Sequence, residues 1–224
     1  ILAIIGPNGA GKTTVFNLVA GALSLTAGEV WFRQKRIDGR PPHRITSLGI
    51  ARTFQNVQLF DNLSVVENVM VGRHCRAQAG VIRSAIRFPS IKAEEREVFQ
   101  VAMERLALVG LERRAFESAK SLPFGQQKLL EIARALASDP MVLMLDEPAG
   151  GLNDTERGQL ADLILRLCEG GMTIVLVEHD MSLVMGVAKW VVVLNYGEKV
   201  AEGPPDQVRA NEAVIAAYLG MERG

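Results

Sequence analysis

The stretch that decides the fold is Gly6-Pro7-Asn8-Gly9-Ala10-Gly11-Lys12-Thr13. It matches the pattern G-x-x-x-x-G-K-[ST], in which glycines aim backbone N–H groups at phosphates and the lysine reaches the terminal phosphates. An apolar run at residues 1–5 precedes it, and apolar residues at helical spacing follow Thr14. Strand, glycine loop and helix are the context that this pattern requires. The sequence therefore predicts a nucleoside triphosphate held by residues 6–14, with the Thr13 hydroxyl on Mg²⁺.

Composition narrows the class of protein around this loop. The chain has 224 residues, 48% of them hydrophobic, which is enough for a sizeable core. Lys+Arg and Asp+Glu number 25 each, and a net charge of zero argues against a non-specific nucleic-acid binder. Cys75 and Cys168 show neither metal-binding nor disulfide spacing. A bare glycine turn remains the alternative interpretation of the loop, and the motifs elsewhere in the chain distinguish between the two interpretations.

Two acidic residues follow a second apolar run. Residues 141–145 are entirely apolar and predict a strand buried on both faces, and Asp146 and Glu147 come directly after it. Open α/β sheets bind ligands at the carboxyl ends of their strands. We expect Asp146 to support Mg²⁺ and Glu147 to polarise a water for attack on the γ-phosphate. The alternative is a pair of solvated acids beyond a strand.

Two further polar residues lie at predicted strand ends. Residues 49–55 indicate a strand that ends on Gln55, whose amide can bind Mg²⁺ through its oxygen and orient water. An apolar strand at residues 173–177 leads to His179, whose imidazole can donate a hydrogen bond to the γ-phosphate. A solvated glutamine and a structural histidine are the alternatives.

The middle of the chain has a helical pattern. Residues 62–120 show almost no strand signal, and residues 94–109 repeat apolar positions at helical spacing up to Gly110. Asn62 or Ser64 is predicted to cap the first helix of this region. The stretch 73–93 has five basic residues and no acidic one, which fits either a membrane or partner contact or a solvated helix face.

Later segments complete the predicted fold. Gly125 and Gln126 stand at the start of a helix, a geometry that suits an anion but is weak evidence alone. Asp154 or Thr155 is expected to cap the next helix, and residues 206–219 to form one closing helix.

The predicted fold class is α/β. We expect a RecA-like P-loop NTPase core in two parts, residues 1–61 and 139–224, with a helical subdomain at 62–138 inserted between them. Because Ile1 already lies in the strand that feeds the loop, we expect sequence upstream of it, including the first strands of the core and the part that holds the adenine base.

These motifs together resemble the ATP-binding subunit of ABC transporters. The correspondences, in chain order, are Walker A at 6–13, the Q-loop at Gln55, the signature at 122–126, Walker B at 142–146 with Glu147, the D-loop at 149–153 and the switch histidine at His179. Residues 52–60, 125–134 and 177–185 look like the branched-chain amino-acid importer type in particular.

The resemblance implies a mechanism and partners. ATP and Mg²⁺ would be the cofactors, and hydrolysis would drive transport across the membrane. A second ATP-binding subunit would pair head to tail, so that Gly125 and Gln126 of one copy meet the ATP of the other. Pro123 stands where the signature has serine, so Gly125 N–H and the helix end would serve instead. Transmembrane permease subunits, and indirectly a substrate-binding protein, would be partners at the cytoplasmic face of the cell membrane.

Other functions stay open at the level of sequence. The cargo could instead be urea, an amide or a lipid-linked substrate. A DNA-repair-type ABC ATPase is disfavoured, because the roughly 60 residues between Gln55 and the signature are too few for a long coiled-coil arm. A nucleotide-binding fragment that has lost activity is the third alternative.

Overall fold

A computed structural model describes residues 1–73 and 89–219 of the chain. The strands within these residues are β1 (Leu2–Ile5), β2 (Trp31–Phe32), β3 (Lys35–Arg36), β4 (Ile50–Arg52), β5 (Val142–Asp146), β6 (Thr173–Val177), β7 (Trp190–Asn195) and β8 (Glu198–Gly203). The α-helices are α1 (Lys12–Val19), α2 (Pro42–Leu48), α3 (Val65–Arg73), α4 (Pro89–Leu108), α5 (Phe124–Leu136), α6 (Asp154–Glu169), α7 (Met181–Val187), α8 (Pro205–Arg209) and α9 (Glu212–Leu219). Two 3-10 helices lie at Glu112–Arg114 and Ala119–Ser121.

A six-stranded sheet in the order β4-β5-β6-β1-β7-β8 forms the centre of the molecule. Its first five strands are parallel, and β8 joins the edge antiparallel to β7. The register aligns Val177 of β6 with Ile4 of β1 on one side and with Asp146 of β5 on the other. The carboxyl ends of these three strands therefore stand side by side, as the sequence predicted.

The apolar runs form these strands because both faces of the sheet are covered. Ala3, Ile5, Leu143 and Leu145 are fully buried on one face, and Ile4 and Met144 on the other face are only 8% and 3% exposed. Phe16 of α1 is also fully buried, and burying one such side chain contributes roughly 1.5–3 kcal/mol. Helix α1, which has only 8 residues, is thereby fixed against the sheet, and this holds the glycine loop in place.

The predicted helical region is present. Helices α3, α4 and α5 pack on one another, with Val69, Ala102, Leu106 and Leu130 fully buried between them. Ser64 starts α3 through reciprocal hydrogen bonds with Glu67, since Ser64 N–H donates to Glu67 Oε2 at 2.8 Å and Glu67 N–H to Ser64 Oγ at 3.4 Å. Most of the basic stretch at 73–93 lies outside the described residues.

Helix α2, which the sequence did not predict, has Pro42 in its first turn, where proline is favoured. Two predictions of local structure are wrong. The cap of α6 is Asn153 rather than Asp154 or Thr155, because its side chain accepts from Glu156 N–H while the Glu156 side chain accepts from Asn153 N–H. The closing segment is two helices, α8 and α9, since Asn211 caps a new helix by accepting from Ala213 N–H at 2.9 Å.

No helix in the described part of the chain is both long and apolar enough to span a bilayer.

Candidate active site

The glycine loop links β1 to α1 and bends through backbone conformations that favour glycine. Gly6, Gly9 and Gly11 have φ of 149°, 80° and 98°. A Cβ on Gly6 would lie 2.1 Å from the carbonyl oxygen of Leu194, so no other residue fits there. Ala10 closes the loop, since its N–H donates to Pro7 O at 3.1 Å and its carbonyl accepts from Gly197 N–H at 3.0 Å.

Lys12, the first residue of α1, folds back over this loop. Its side chain is buried, and Nζ donates to the carbonyls of Gly6 at 2.7 Å and Pro7 at 3.0 Å. Burial lowers the pKa of Lys12, while the charges of Glu147 and Asp146 oppose that shift. The ammonium group therefore lies at the loop and within electrostatic reach of both acids, as the phosphate-binding interpretation requires.

Glu147 stands at the centre of the site in a strained backbone conformation. Its φ is 46°, uncommon for a residue other than glycine, and its N–H donates to Val177 O at 2.9 Å. Gln55 Nε2 donates to Glu147 Oε2 at 2.6 Å, and His179 Nδ1 lies 3.8 Å from the same oxygen. The three residues predicted to be catalytic thus meet at one carboxylate oxygen.

Asp146 offers a buried oxygen suited to a cation. Its Oδ2 accepts from Arg52 NH2 at 2.7 Å, and its Oδ1 is buried without a hydrogen-bond partner among the described residues. Those residues contain no cluster of three or more His, Cys, Asp or Glu that could hold a metal alone. The free oxygen fits Mg²⁺ in the way such ions bind beside nucleotides, with one or two protein ligands and the phosphates supplying the rest.

Other predicted residues lie in different surroundings. Thr13 and Thr14 follow Lys12 in the first turn of α1, and Asn8 is exposed on the loop. A Cβ on Gly125 would lie 2.4 Å from Glu156 Oε1, and the side chain of Gln126 accepts from Arg114. The contacts of Gly125 and Gln126 are therefore with residues outside the cluster at Glu147.

Sequence reasoning missed three charged residues that hold the cluster. Arg52 NH1 donates to Asn17 at 2.6 Å besides its bond to Asp146. Lys128 Nζ donates to the carbonyl oxygen of Glu147 at 3.1 Å, and Glu178 accepts from Ala149 N–H at 2.8 Å.

A shared signal marks these three residues. Arg52 ends a strand, Glu178 follows one, and Lys128 occupies a buried position of an amphipathic helix. Charged groups at buried positions require partners, so their place in the pattern was itself evidence of a polar network.

Family models match both ends of the chain. The model described as "ABC transporter" matches residues 1–150, and the model described as "Branched-chain amino acid ATP-binding cassette transporter" matches residues 198–220. The chain is 44% identical to the high-affinity branched-chain amino acid transport ATP-binding protein BraF of Pseudomonas aeruginosa, over 98% of this chain and 87% of BraF. It is 42% identical to the protein of the same description, LivG, of Escherichia coli K12, with the same coverage.

Solved structures agree with the sequence relatives. The ADP conformation of MJ1267, an ATP-binding cassette of an ABC transporter, superposes with a TM-score of 0.83 at 29% identity, over 98% of this chain and 87% of that one. A dimeric, post-hydrolysis state of the cassette MJ0796 bound to ADP and Pi gives a TM-score of 0.76 at 27% identity, over 92% and 85%. The chain therefore belongs to the ABC transporter family and is one of its ATP-hydrolysing cassettes.

Proposed function

We propose that the chain energises an importer of branched-chain amino acids by hydrolysing ATP at the site around Glu147. The observation that carries the chemistry is the convergence of Gln55 and His179 on one oxygen of Glu147. The cargo rests on BraF and LivG, whose names state branched-chain amino acid transport, and on the match at residues 198–220. Urea, amides or a lipid-linked substrate are the competing cargoes.

Each residue has a role in this proposal. The backbone N–H groups of residues 6–14 and the Lys12 ammonium bind the phosphates. Glu147 accepts the proton of the attacking water, Gln55 orients that water, and His179 donates to the γ-phosphate. The hydrogen bonds from Glu147 N–H to Val177 O and from Lys128 Nζ to Glu147 O hold the base in its strained conformation before the nucleotide arrives.

Mg²⁺ would be held by Thr13, Gln55 and Asp146. The Nε2 of Gln55 is engaged with Glu147, so its amide oxygen is the atom left for the ion. The unpartnered Oδ1 of Asp146 supports the same assignment. When bound, Mg²⁺ neutralises charge that develops on the phosphates.

A second cassette would complete the site. In the proposed head-to-tail dimer, Gly125 N–H and Gln126 at the start of α5 meet the γ-phosphate bound to the other copy. Phe124 is about half exposed there, as expected for a surface that a partner covers. The related cassette MJ0796 is described as dimeric.

The permease subunits would contact a groove beside the Q-loop. This groove, of about 430 Å³, is lined by Phe54 and Phe60, each roughly half exposed, and by Glu131 and Arg134 of α5. A groove that combines exposed aromatic side chains with buried charged groups suits a partner helix that carries both kinds of group. The proposal also places the helical subdomain at residues 62–138, between the two parts of the nucleotide-binding core. The chain would lie at the cytoplasmic face of the membrane and be linked indirectly to a substrate-binding protein. No nucleic-acid partner is proposed.

Two experiments test the proposal. The full chain should hydrolyse ATP in the presence of Mg²⁺, and Lys12→Ala should abolish nucleotide binding while leaving the fold intact by circular dichroism.

A pull-down from the native host should recover two hydrophobic permease subunits, and cells lacking the chain should lose leucine uptake but keep urea uptake. Loss of urea uptake with leucine uptake preserved would reject the cargo and leave the ATPase role standing.

A further inference from the structure

Glu178 is a buried acid with three hydrogen bonds from the backbone. It follows β6, and its side chain has no exposed surface. Oε1 accepts from Ala149 N–H at 2.8 Å, while Oε2 accepts from His179 N–H at 3.0 Å and Asp180 N–H at 3.2 Å. Burying a carboxylate costs free energy unless its oxygens accept hydrogen bonds, and these three bonds meet that requirement.

The three donors belong to two different segments. Ala149 lies in the turn after β5, two residues beyond Glu147, and Gly150 N–H ties that turn to Glu147 O at 3.2 Å. His179 and Asp180 form the loop between β6 and α7. One carboxylate thus joins the backbone that carries Glu147 to the backbone that carries His179.

No other residue type serves both segments. A glutamine has one acceptor oxygen, and its NH₂ group would face the N–H groups of the other segment. An aspartate keeps the charge but is one methylene shorter. Arg157 of α6 adds a weaker contact to the His179 loop, since its Nε lies 3.6 Å from Asp180 Oδ2 and its side chain is 41% exposed.

We propose that Glu178 is a positioning residue that makes the turn at Ala149 and the loop at His179 move as one unit. This inference rests on the proposed role of His179 toward the γ-phosphate. A shift of the turn, whether caused by a second cassette or by nucleotide, is then transmitted to His179 because both segments donate hydrogen bonds to the same buried carboxylate. The nearby Lys128 ammonium, bonded to Glu147 O at 3.1 Å, adds a positive charge to the same interior.

The test measures amide hydrogen exchange by NMR in the full chain without nucleotide. In Glu178→Gln, exchange at Ala149, or at His179 and Asp180 together, should accelerate by about tenfold or more, because one segment loses a charge-assisted acceptor. Glu178→Asp should accelerate Ala149 although the charge is kept. Unchanged exchange at all three amides in Glu178→Gln would overturn the proposal.

Asp180→Ala is the matched control within the same loop. Asp180 Oδ1 accepts from Ser182 N–H at 2.9 Å and Leu183 N–H at 3.2 Å, so this variant should accelerate those two amides and leave Ala149 unchanged. Acceleration at Ala149 as large as in Glu178→Gln would mean general loosening of the loop and would also overturn the inference.

A kinetic measurement separates positioning from collapse. Single-turnover ATP cleavage in Glu178→Gln should slow by roughly tenfold, while the Kd for ATP changes by less than about threefold, since the phosphate loop keeps its contacts. Equal losses in cleavage and binding would contradict a positioning role. If the unmodified chain cleaves no ATP, the proposed function fails, and the exchange measurement still decides whether the two segments are linked.

Discussion

Replacing Arg52 with methionine tests whether Asp146 receives a metal ion. In the structure, Arg52 NH2 bonds Asp146 Oδ2 at 2.7 Å, and the two side chains are only 9% and 1% exposed. Removing one partner of such a buried pair costs about 3–5 kcal/mol in total, of which the larger part arises because the other charge is left without a counter-ion. The free energy of unfolding should therefore fall by about that amount in the absence of nucleotide.

Mg²⁺ with ATP should restore part of this loss. The ion brings positive charge to Asp146, so the remaining deficit is the lost bond to Asn17 and the lost stacking on Phe16 and Phe54, together about 1–2 kcal/mol. Mg²⁺ with ATP should thus stabilise Arg52→Met by about 2 kcal/mol more than it stabilises the unmodified chain. ATP with a chelator should stabilise both chains equally.

Urea unfolding with and without the two additions provides the assay. Arg134→Met is the matched control, because Arg134 pairs with the buried Glu131 at 3.5 Å and stacks on Phe60, away from Asp146. The loss in free energy of unfolding caused by Arg134→Met should be the same with and without Mg²⁺ and ATP. Equal stabilisation of Arg52→Met and the unmodified chain by Mg²⁺ and ATP would refute the reasoning.

Two further predictions concern stability. Partial burial alone would raise the pKa of Asp139, but hydrogen bonds from Arg105 and Arg73 outweigh it and lower that pKa. Asp139→Asn should cost about 1 kcal/mol in urea unfolding at pH 5–7, and the difference should vanish as the pH falls through the lowered pKa, below about 3.9; a constant difference down to pH 2 would contradict this. Asn153→Ala should cost about 1 kcal/mol by removing the α6 cap, whereas Asn153→Asp should cost little, and equal losses in thermal unfolding would disprove the capping role.

The sheet and the centre of the site could be predicted because their signals are local. A run of apolar residues marks each of β1, β5 and β6, and parallel pairing brings their carboxyl ends together whatever the rest of the chain does. Glu147 and His179 each sit one or two residues beyond such a run. Their proximity followed from strand order alone.

The partners of the supporting residues could not be predicted because they are distant in sequence. Arg52 and Asp146 are 94 residues apart, and Lys128 and Glu147 are 19 apart on different elements. A strand-end arginine pairs equally well with solvent, so its sequence position does not name its partner. The break between α8 and α9 was missed for a related reason. The Asn211 side chain accepts a hydrogen bond from Ala213 N–H and so starts a new helix, and the spacing of the apolar residues does not indicate this bond.

The rate of ATP cleavage in Glu147→Gln tests the central claim most directly. Glutamine keeps the shape beside Gln55 and His179 but cannot take a proton from water, so Mg²⁺ and ATP should bind within about threefold of the unmodified chain while cleavage falls by at least about 100-fold. Glu169→Gln, the same change at an exposed acid ending α6, should leave cleavage unaltered. Cleavage by Glu147→Gln within about threefold of the unmodified rate would contradict the assignment of Glu147 as the base.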